Sequence, residues 1–240
     1  MKVAVISDIH GNWEALTTVE KAIEKCGVDE IWCLGDIVGY GPDPSRCIEW
    51  VREKCSIVIA GNHDWAVTGK ESIEYFNPWA KEAVLKIRNM LSAEEIDYLN
   101  NLPLTYKKDN ILLVHGSPLK PQEWFYIFDE WDAKAAFEAT EEWIIFVGHS
   151  HIPGCFSYKG NEIKEHCFPL KLKDTERYII NPGSVGQPRD GDPRASFGIL
   201  DLKDMIFEIC RVNYDIKTTQ EKIKKADLPV WLATRLEKGL

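Results

Sequence analysis

Cysteine is present without a pattern. Seven stand scattered at 26, 33, 47, 55, 155, 167 and 210, and no two form a C-x-x-C pair. An odd, dispersed set in a chain of 240 residues argues against a disulfide framework or a cysteine zinc site and fits reduced, mostly packed thiols. No apolar run approaches the ~20 residues that cross a bilayer, so a membrane partner is not expected. The start, MKVAVISDIHG, holds one lysine and five apolar residues before turning polar. It lacks a signal-peptide core and cleavage pattern, so it reads as a first β-strand and the expected location is cytoplasmic. Basic residues are the minority, 29 against 38 acidic, and no basic run occurs. A net charge of −9 makes a poor non-specific binder of nucleic acid or membrane, and no stable nucleic-acid partner is expected. An anionic substrate stays open, because bound metal ions invert a local field. Internal repeats, low-complexity stretches and linkers are also missing, which points to one domain over residues 1–240.

What is present is ordinary in bulk, with 45% hydrophobic and 28% charged residues, and unusual in its order. Residues 3–6, 31–34 and 57–60 are short apolar runs. Between them, 13–26 places Leu16, Val19 and Ile23 at helical spacing before Gly27, and a second helix runs to Lys54 with Ser45 as its expected cap. This alternation predicts parallel strands covered on both faces. Residues 70–101 read as helices broken near Asn77-Pro78 and Leu91-Ser92, and apolar strands return at 111–114 and 144–147. An aromatic-rich insertion spans about 119–143, with a helix near 132–140. Strands are expected near 155–158, 163–168, 178–181, 196–201 and 205–212, then a helical tail at about 215–238. The fold class is therefore α/β, with a first sheet mainly parallel and a second mixed.

The strand ends carry the chemistry. Asp8 and His10 follow the first run and Asp36 the second. Asn62, His63 and Asp64 follow the third, His115 the run at 111–114, and His149 and His151 the run at 144–147. Five of the six histidines sit at these ends. Parallel α/β sheets place their sites at the carboxyl edge of the strands. Carboxylate, amide oxygen and imidazole together suit Mn, Fe, Zn or Co, and the set exceeds what one ion needs. Two divalent ions bridged by one carboxylate would use all of it, clamp the oxygens of an in-line displacement and lower the pKa of a bridging water.

Taken together, D-x-H (Asp8, His10), G-D (Gly35, Asp36), G-N-H-D (Gly61–Asp64), H-G (His115, Gly116) and G-H-x-H (Gly148–His151) resemble the calcineurin-like metallophosphoesterases. The continuation NPGSVGQPRDGDPRASFGILD, residues 181–201, is similar to the small prokaryotic phosphodiesterase-type branch. The resemblance implies a four-layer α/β/β/α sandwich of two mixed sheets. It implies that Asp8, His10 and His151 hold one ion, that Asn62, His115 and His149 hold a second, and that Asp36 bridges them. His63 would donate a proton to the leaving oxygen or hold the phosphate, with Asp64 orienting it, and Ser150 would be a spacer. Gly148 would let the backbone pass close to the cluster. The implied activity is hydrolysis of a phosphodiester, phosphomonoester or phosphoanhydride by a metal-bridging hydroxide, with manganese first among Mn, Fe, Zn, Ni and Co. The expected partner is a phosphorylated small molecule or nucleotide, such as a dinucleoside polyphosphate.

Other positions carry two readings each. Asn12 could touch substrate, but it precedes the first helix and is favoured as its cap. Arg189 and Arg194 could clamp a phosphate or pair with Asp190 and Asp192, with Arg194 slightly preferred as the clamp. Tyr40 reads as a turn aromatic packed on a loop. The segment EWFYIFDEW, 123–131, could offer a stacking platform for a base, but burial or a subunit interface is favoured, and a homodimer is one expectation. Two alternatives to a small-molecule phosphoesterase remain. A phosphoprotein phosphatase would carry an arginine soon after G-D and a glutamate after G-N-H, where this chain has IVGYG and Asp64. A non-catalytic scaffold of the same fold would have little reason to keep His63 and the whole ligand set.

Overall fold

Alternation along the strands decides which layer each residue enters. The computed structural model describes residues 1–240. In β1 (Lys2–Ile6), Ala4 and Ile6 join one buried cluster while Val3 and Val5 join another. Residues i and i+2 share a face of a strand, so β1 is covered on both sides. β2 (Glu30–Cys33) and β3 (Ile57–Val58) extend it in parallel, joined through α1 (Trp13–Cys26) and α2 (Pro44–Lys54). The first helix buries Leu16, Val19 and Ile23 and ends at Gly27, whose φ of 62° only glycine adopts cheaply. The second corrects the expectation for Ser45. Pro44 opens the helix and Asp43 precedes it without a side-chain cap; its carboxylate pairs with Lys222 at 2.8 Å instead. Proline's preset φ suits a first helical turn, whose N–H groups are unpaired anyway.

Three helices follow, α3 (Asn62–Thr68), α4 (Pro78–Arg88) and α5 (Ala93–Asn100). Asn77 caps α4, and Ser92 with Glu95 forms a reciprocal capping box on α5, which explains both breaks read in the sequence. Next come β4 (Thr105–Lys108), β5 (Ile111–Val114), α6 (Glu130–Glu138) and β6 (Ile144–Phe146). β7 (Gly154–Lys159), β8 (Glu162–Glu165), β9 (Leu170–Lys171), β10 (Arg177–Asn181), β11 (Ala195–Asp201) and β12 (Ile206–Val212) complete the strands, and α7 (Ile216–Lys225) and α8 (Val230–Thr234) form the tail.

The strands make two six-stranded sheets, ordered β3-β2-β1-β11-β12-β9 and β4-β5-β6-β10-β7-β8. Both are mixed, as the resemblance implies; the first has two parallel and three antiparallel pairings, so it is not the mainly parallel sheet that the alternation suggested. β5 and β6 lie parallel in the second sheet, and β11 returns antiparallel to the free edge of β1. An edge strand buried on both faces needs a partner, and β11, buried from Ala195 to Leu200, supplies one. Apolar side chains of both sheets, among them Val5, Trp32, Leu113, Phe146, Ile180 and Phe207, interlock between them. Every helix except α6 covers the outer face of the first sheet, while α6 sets Ala133, Ala136 and Phe137 against the outer face of the second. The result is the four-layer α/β/β/α sandwich. The carboxyl ends of β1, β2, β5 and β6 open on one rim, where the polar residues gather.

Candidate metal centre

The rim is built from strained backbone. Ten non-glycine residues have left-handed φ, and five of them are Asp8 (54°), His10 (49°), Asp36 (53°), His149 (65°) and His151 (61°). Such conformations cost of order 1–3 kcal/mol each and persist where the surroundings over-determine them, usually at functional sites. Two glycines permit the convergence by close approach rather than by φ. A Cβ on Gly61 would stand 2.1 Å from Asp36 Oδ1, and one on Gly148 2.0 Å from Ser7 Oγ. The expected close passage at Gly148 is therefore present.

Each carboxylate is held by one oxygen and leaves the other free. Asp8 Oδ2 accepts the His149 N–H at 3.1 Å, and Asp36 Oδ1 accepts the His63 N–H at 2.8 Å. Asp8 Oδ1 and Asp36 Oδ2 are buried without a hydrogen-bond partner, as are Asn62 Oδ1 and His115 Nε2. The imidazoles are oriented in the same manner. His10, His115 and His151 turn Nδ1 to the carbonyls of Val38, Leu34 and Gln187 at 3.1, 2.7 and 2.6 Å. A carbonyl only accepts, so each Nδ1 carries its proton and each Nε2 presents a lone pair inward. His10 Nε2 and His151 Nε2 then face each other at 3.1 Å, two acceptors with nothing between them.

A cation resolves this arrangement. Ligands about 2.0–2.2 Å from one ion lie about 3–4.2 Å apart. Asp8 Oδ1 stands 3.2 Å from His151 Nε2 and 3.8 Å from His10 Nε2, and Asp36 Oδ2 stands 3.5 Å from His10 Nε2 and 3.3 Å from His115 Nε2. Asp8, His10, Asp36 and His151 form one group of mutually close ligand atoms, and Asp36, His115 and His149 a second. Asp36 is common to both, and the free amide oxygen of Asn62 is a candidate for the second. Neither buried aspartate pairs with a lysine or arginine, and burying unpaired carboxylates is costly. Burial raises the Asp8 carboxyl to about 6, helped by the Asp36 charge. Burial also lowers His10, His149 and His151, keeping them neutral as ligation requires. Burial would lower His115 too, but the Asp36 and Asp8 carboxylates outweigh it and lift the group to about 9, so the field there favours positive charge.

His63 lies at the edge of the cluster, buried, with Nδ1 unpartnered. Asp64 does not orient it, which corrects that expectation. Its Oδ1 accepts the N–H groups of Ile37 and Val38 at 2.8 and 3.2 Å, and its Oδ2 accepts Gly61 N–H at 3.0 Å, lashing the loop after β2 to the start of α3. At helix position N3 its carboxylate is directed at the backbone, not at the next side chain. Ser150 is likewise more than a spacer. With the Gly148 carbonyl it accepts from Asn181 Nδ2, which clamps the His149–His151 turn.

Asn12 caps α1 through Ala15 N–H at 3.1 Å, donates to Gly186 O at 2.8 Å and accepts from Thr219 at 3.1 Å. It is buried and fully engaged, so the expectation that it touches substrate gives way to the cap. Asn12→Ala is expected to cost about 2–3 kcal/mol, a cap plus a buried hydrogen bond, with KM unchanged. Chemical denaturation and steady-state kinetics check both halves.

The two arginines separate against the expected order. Arg194 is exposed and bound to Asp192 through Nε and Nη2, at 2.6 Å for the latter. Arg189 has no carboxylate partner; Nε and Nη2 donate to Gln187 Oε1 at 3.3 and 2.9 Å, and the guanidinium lies 5.7 Å over the Tyr40 ring. Tyr40 is no mere turn aromatic, since its ring meets His10 at 4.4 Å and His63 at 4.5 Å. In the 123–131 segment, Trp124 is buried against His115 at 6.0 Å, while Tyr126 stacks on His149 at 4.0 Å and 15°. Tyr126 falls in the aromatic segment 123–131 without standing out from its neighbours, and Phe76 has no signal in the sequence; Asn181 and Gln187 stand in the NPGS…GQPR stretch, whose hydrogen bonds only the fold reveals.

An α/β/β/α sandwich with buried aspartate, asparagine and histidine side chains gathered at its rim is the arrangement of a metallophosphoesterase, a class of phosphoric ester hydrolases. Residues 1–205 match the model of the calcineurin-like phosphoesterase superfamily domain, and the chain belongs to that family. It is 44% identical over 241 residues to an uncharacterized protein of Methanocaldococcus jannaschii, covering 99% of this chain and 98% of that one. The crystal structure of a metallophosphoesterase from Sphaerobacter thermophilus is similar with a TM-score of 0.86 and 41% identity, covering 100% of this chain and 99% of that one. The Escherichia coli phosphodiesterase YfcE is 25% identical over 214 residues, 84% of this chain and 88% of that protein. No helix is long and apolar enough to cross a membrane.

Proposed function

We propose that the chain hydrolyses a phosphodiester with two divalent ions, manganese being the first to test. Asp8, His10 and His151 would hold one, Asn62, His115 and His149 the other, and Asp36 both. One observation carries this reading: the unpartnered atoms Asp8 Oδ1, Asp36 Oδ2 and His115 Nε2 lie together beside the point where His10 and His151 turn two lone pairs at each other, and Asn62 Oδ1 is also buried without a partner. Bound ions would supply Lewis acidity toward phosphoryl oxygens and lower the pKa of water. The chain's own groups do the rest. The carbonyls of Leu34, Val38 and Gln187 fix the tautomers of His115, His10 and His151, so these three need not reorient when loaded. Tyr40, wedged between His10 and His63, closes one side to solvent. His63 sets its free edge toward the phosphate as a hydrogen-bond donor, and Arg189, the unpaired guanidinium, offsets phosphate charge.

Arg189→Ala is expected to raise KM for a phosphodiester about tenfold, and Arg194→Ala less than twofold, because a charge-assisted hydrogen bond is worth about 1.5–3 kcal/mol and an exposed ion pair almost nothing. Parallel kinetics of the two variants check this. The reading as a whole is tested by turnover of bis-p-nitrophenyl phosphate after stripping and restoring Mn²⁺. Turnover that vanishes on stripping and returns with the ion is expected; no turnover with any divalent ion would overturn it.

A further inference from the structure

The matched family domain ends at residue 205, and α7 and α8 lie beyond it. They nevertheless pack against the back of the centre. Leu232 and Leu236 line a seam of about 10 Å³ with His10, Tyr40, Gly186 and Gln187, barely the space of one water. Gln187 in turn holds His151 through its carbonyl and Arg189 through its side chain.

The tail is also fastened to both ligand loops at once. His10 stands in the loop that runs into α1, and Asp36 and Tyr40 stand in the loop that runs into α2. Lys222 Nζ donates to Glu14 Oε1 at 2.5 Å, in the first turn of α1, and to Asp43 Oδ2 at 2.8 Å, just before α2. One turn earlier on α7, Thr219 Oγ1 stands 3.1 Å from both Asn12 Oδ1 and Glu14 Oε2. The two loops meet directly through backbone hydrogen bonds, among them Asp43 N–H to Gly11 O at 3.0 Å, and Lys222 adds a charged tie at their far ends. Glu14 and Asp43 are largely buried, so salt screens this tie less than a surface pair. The spacing matters because His10 Nε2 and Asp36 Oδ2, one from each loop, stand 3.5 Å apart in one ligand group, and ligation tolerates only about 0.2 Å of error.

We propose that the C-terminal tail is a working part of the metal centre and that Lys222 is its positioning residue. Bridging Glu14 and Asp43, it holds the His10 loop and the Asp36 loop at the spacing a shared ion needs. The proposal rests on the metal reading and extends it to a segment outside the matched domain.

Calorimetric titration of the dialysed chain with Mn²⁺ tests it, with thermal unfolding of the metal-free protein measured beside it. Lys222→Met keeps the stem and removes the charge. It is expected to weaken Mn²⁺ binding about fivefold, below the 10–100-fold of a residue that touches a ligand directly. Lys222→Arg keeps the charge and should restore binding to within about twofold. Asp43→Asn should weaken binding too, and the double variant with Lys222→Met by no more than Lys222→Met alone, since both remove one tie. Lys86→Met breaks a surface pair between α4 and Asp227 and should leave the affinity unchanged. A lower unfolding temperature for Lys222→Met with unchanged Mn²⁺ affinity would show a merely structural lysine and overturn the proposal. Losses of Lys222→Met and Asp43→Asn that multiply in the double variant would do the same. A wild-type chain that binds no Mn²⁺ would instead overturn the metal reading, and this proposal with it.

Discussion

Asp36→Asn is expected to abolish turnover and to empty both halves of the centre. Its Oδ1 is occupied by the His63 N–H, so only Oδ2 faces inward, between His10 Nε2 and His115 Nε2. The carboxamide keeps the shape and the hydrogen bond but removes the charge shared by both ligand groups. The loss should be at least about 10³-fold, since Lewis acidity contributes several kcal/mol and each 1.36 kcal/mol is a factor of ten. Metal content measured on dialysed protein should fall with activity. An inactive Asp36→Asn protein that keeps its full metal would show that Asp36 acts in some other way.

His63→Ala should fail differently, losing about 10²-fold in kcat while keeping its metal. His63 offers no ligand atom to either group, and its link to the cluster runs through its own N–H to Asp36, which alanine retains. The size of the loss decides its role. A hydrogen bond to a charged phosphate is worth about 1.5–3 kcal/mol, or about 10–10²-fold, whereas a general acid contributes about 10²–10⁴-fold. Burial, with the nearby Arg189 charge, pushes the His63 imidazole down to about 4, against the pull of Asp36. The group is then neutral above that pH and donates through its N–H without titrating between pH 6 and 8. The wild-type to His63→Ala ratio of kcat should be flat over that range. A ratio near 10⁴ that declines as pH rises would restore the proton-donor role.

The ligand types were legible because they stand directly after apolar runs, where a parallel sheet collects its strand ends. The runs 3–6, 31–34, 111–114 and 144–147 each became a strand, and the polar residues after them met at one rim. What makes the rim a centre was not legible. The left-handed backbone at Asp8, Asp36 and His149 was not legible, since aspartate and histidine are only modestly favoured there and most copies of either residue do not adopt it. Tautomers are set by the backbone carbonyls of Leu34, Val38 and Gln187, which every residue type possesses. Sheet membership was misread because β4, the polar stretch TYKK, shows no apolar run, and because β11 pairs with β1 from almost two hundred positions away. Arg189 and Arg194 looked alike in QPRDGDPR; the difference is that Asp192 folds back on Arg194 while Asp190 is taken by Arg211.

The central claim is that these buried side chains hold a pair of cations through a shared Asp36. Metal stoichiometry of the Mn²⁺-reconstituted, dialysed protein tests it most directly, with Asp36→Asn measured beside it. Two ions per chain in the wild type and close to none in the variant is the predicted result. Fewer than one ion per chain in the wild type, or the same stoichiometry in both proteins, would contradict it.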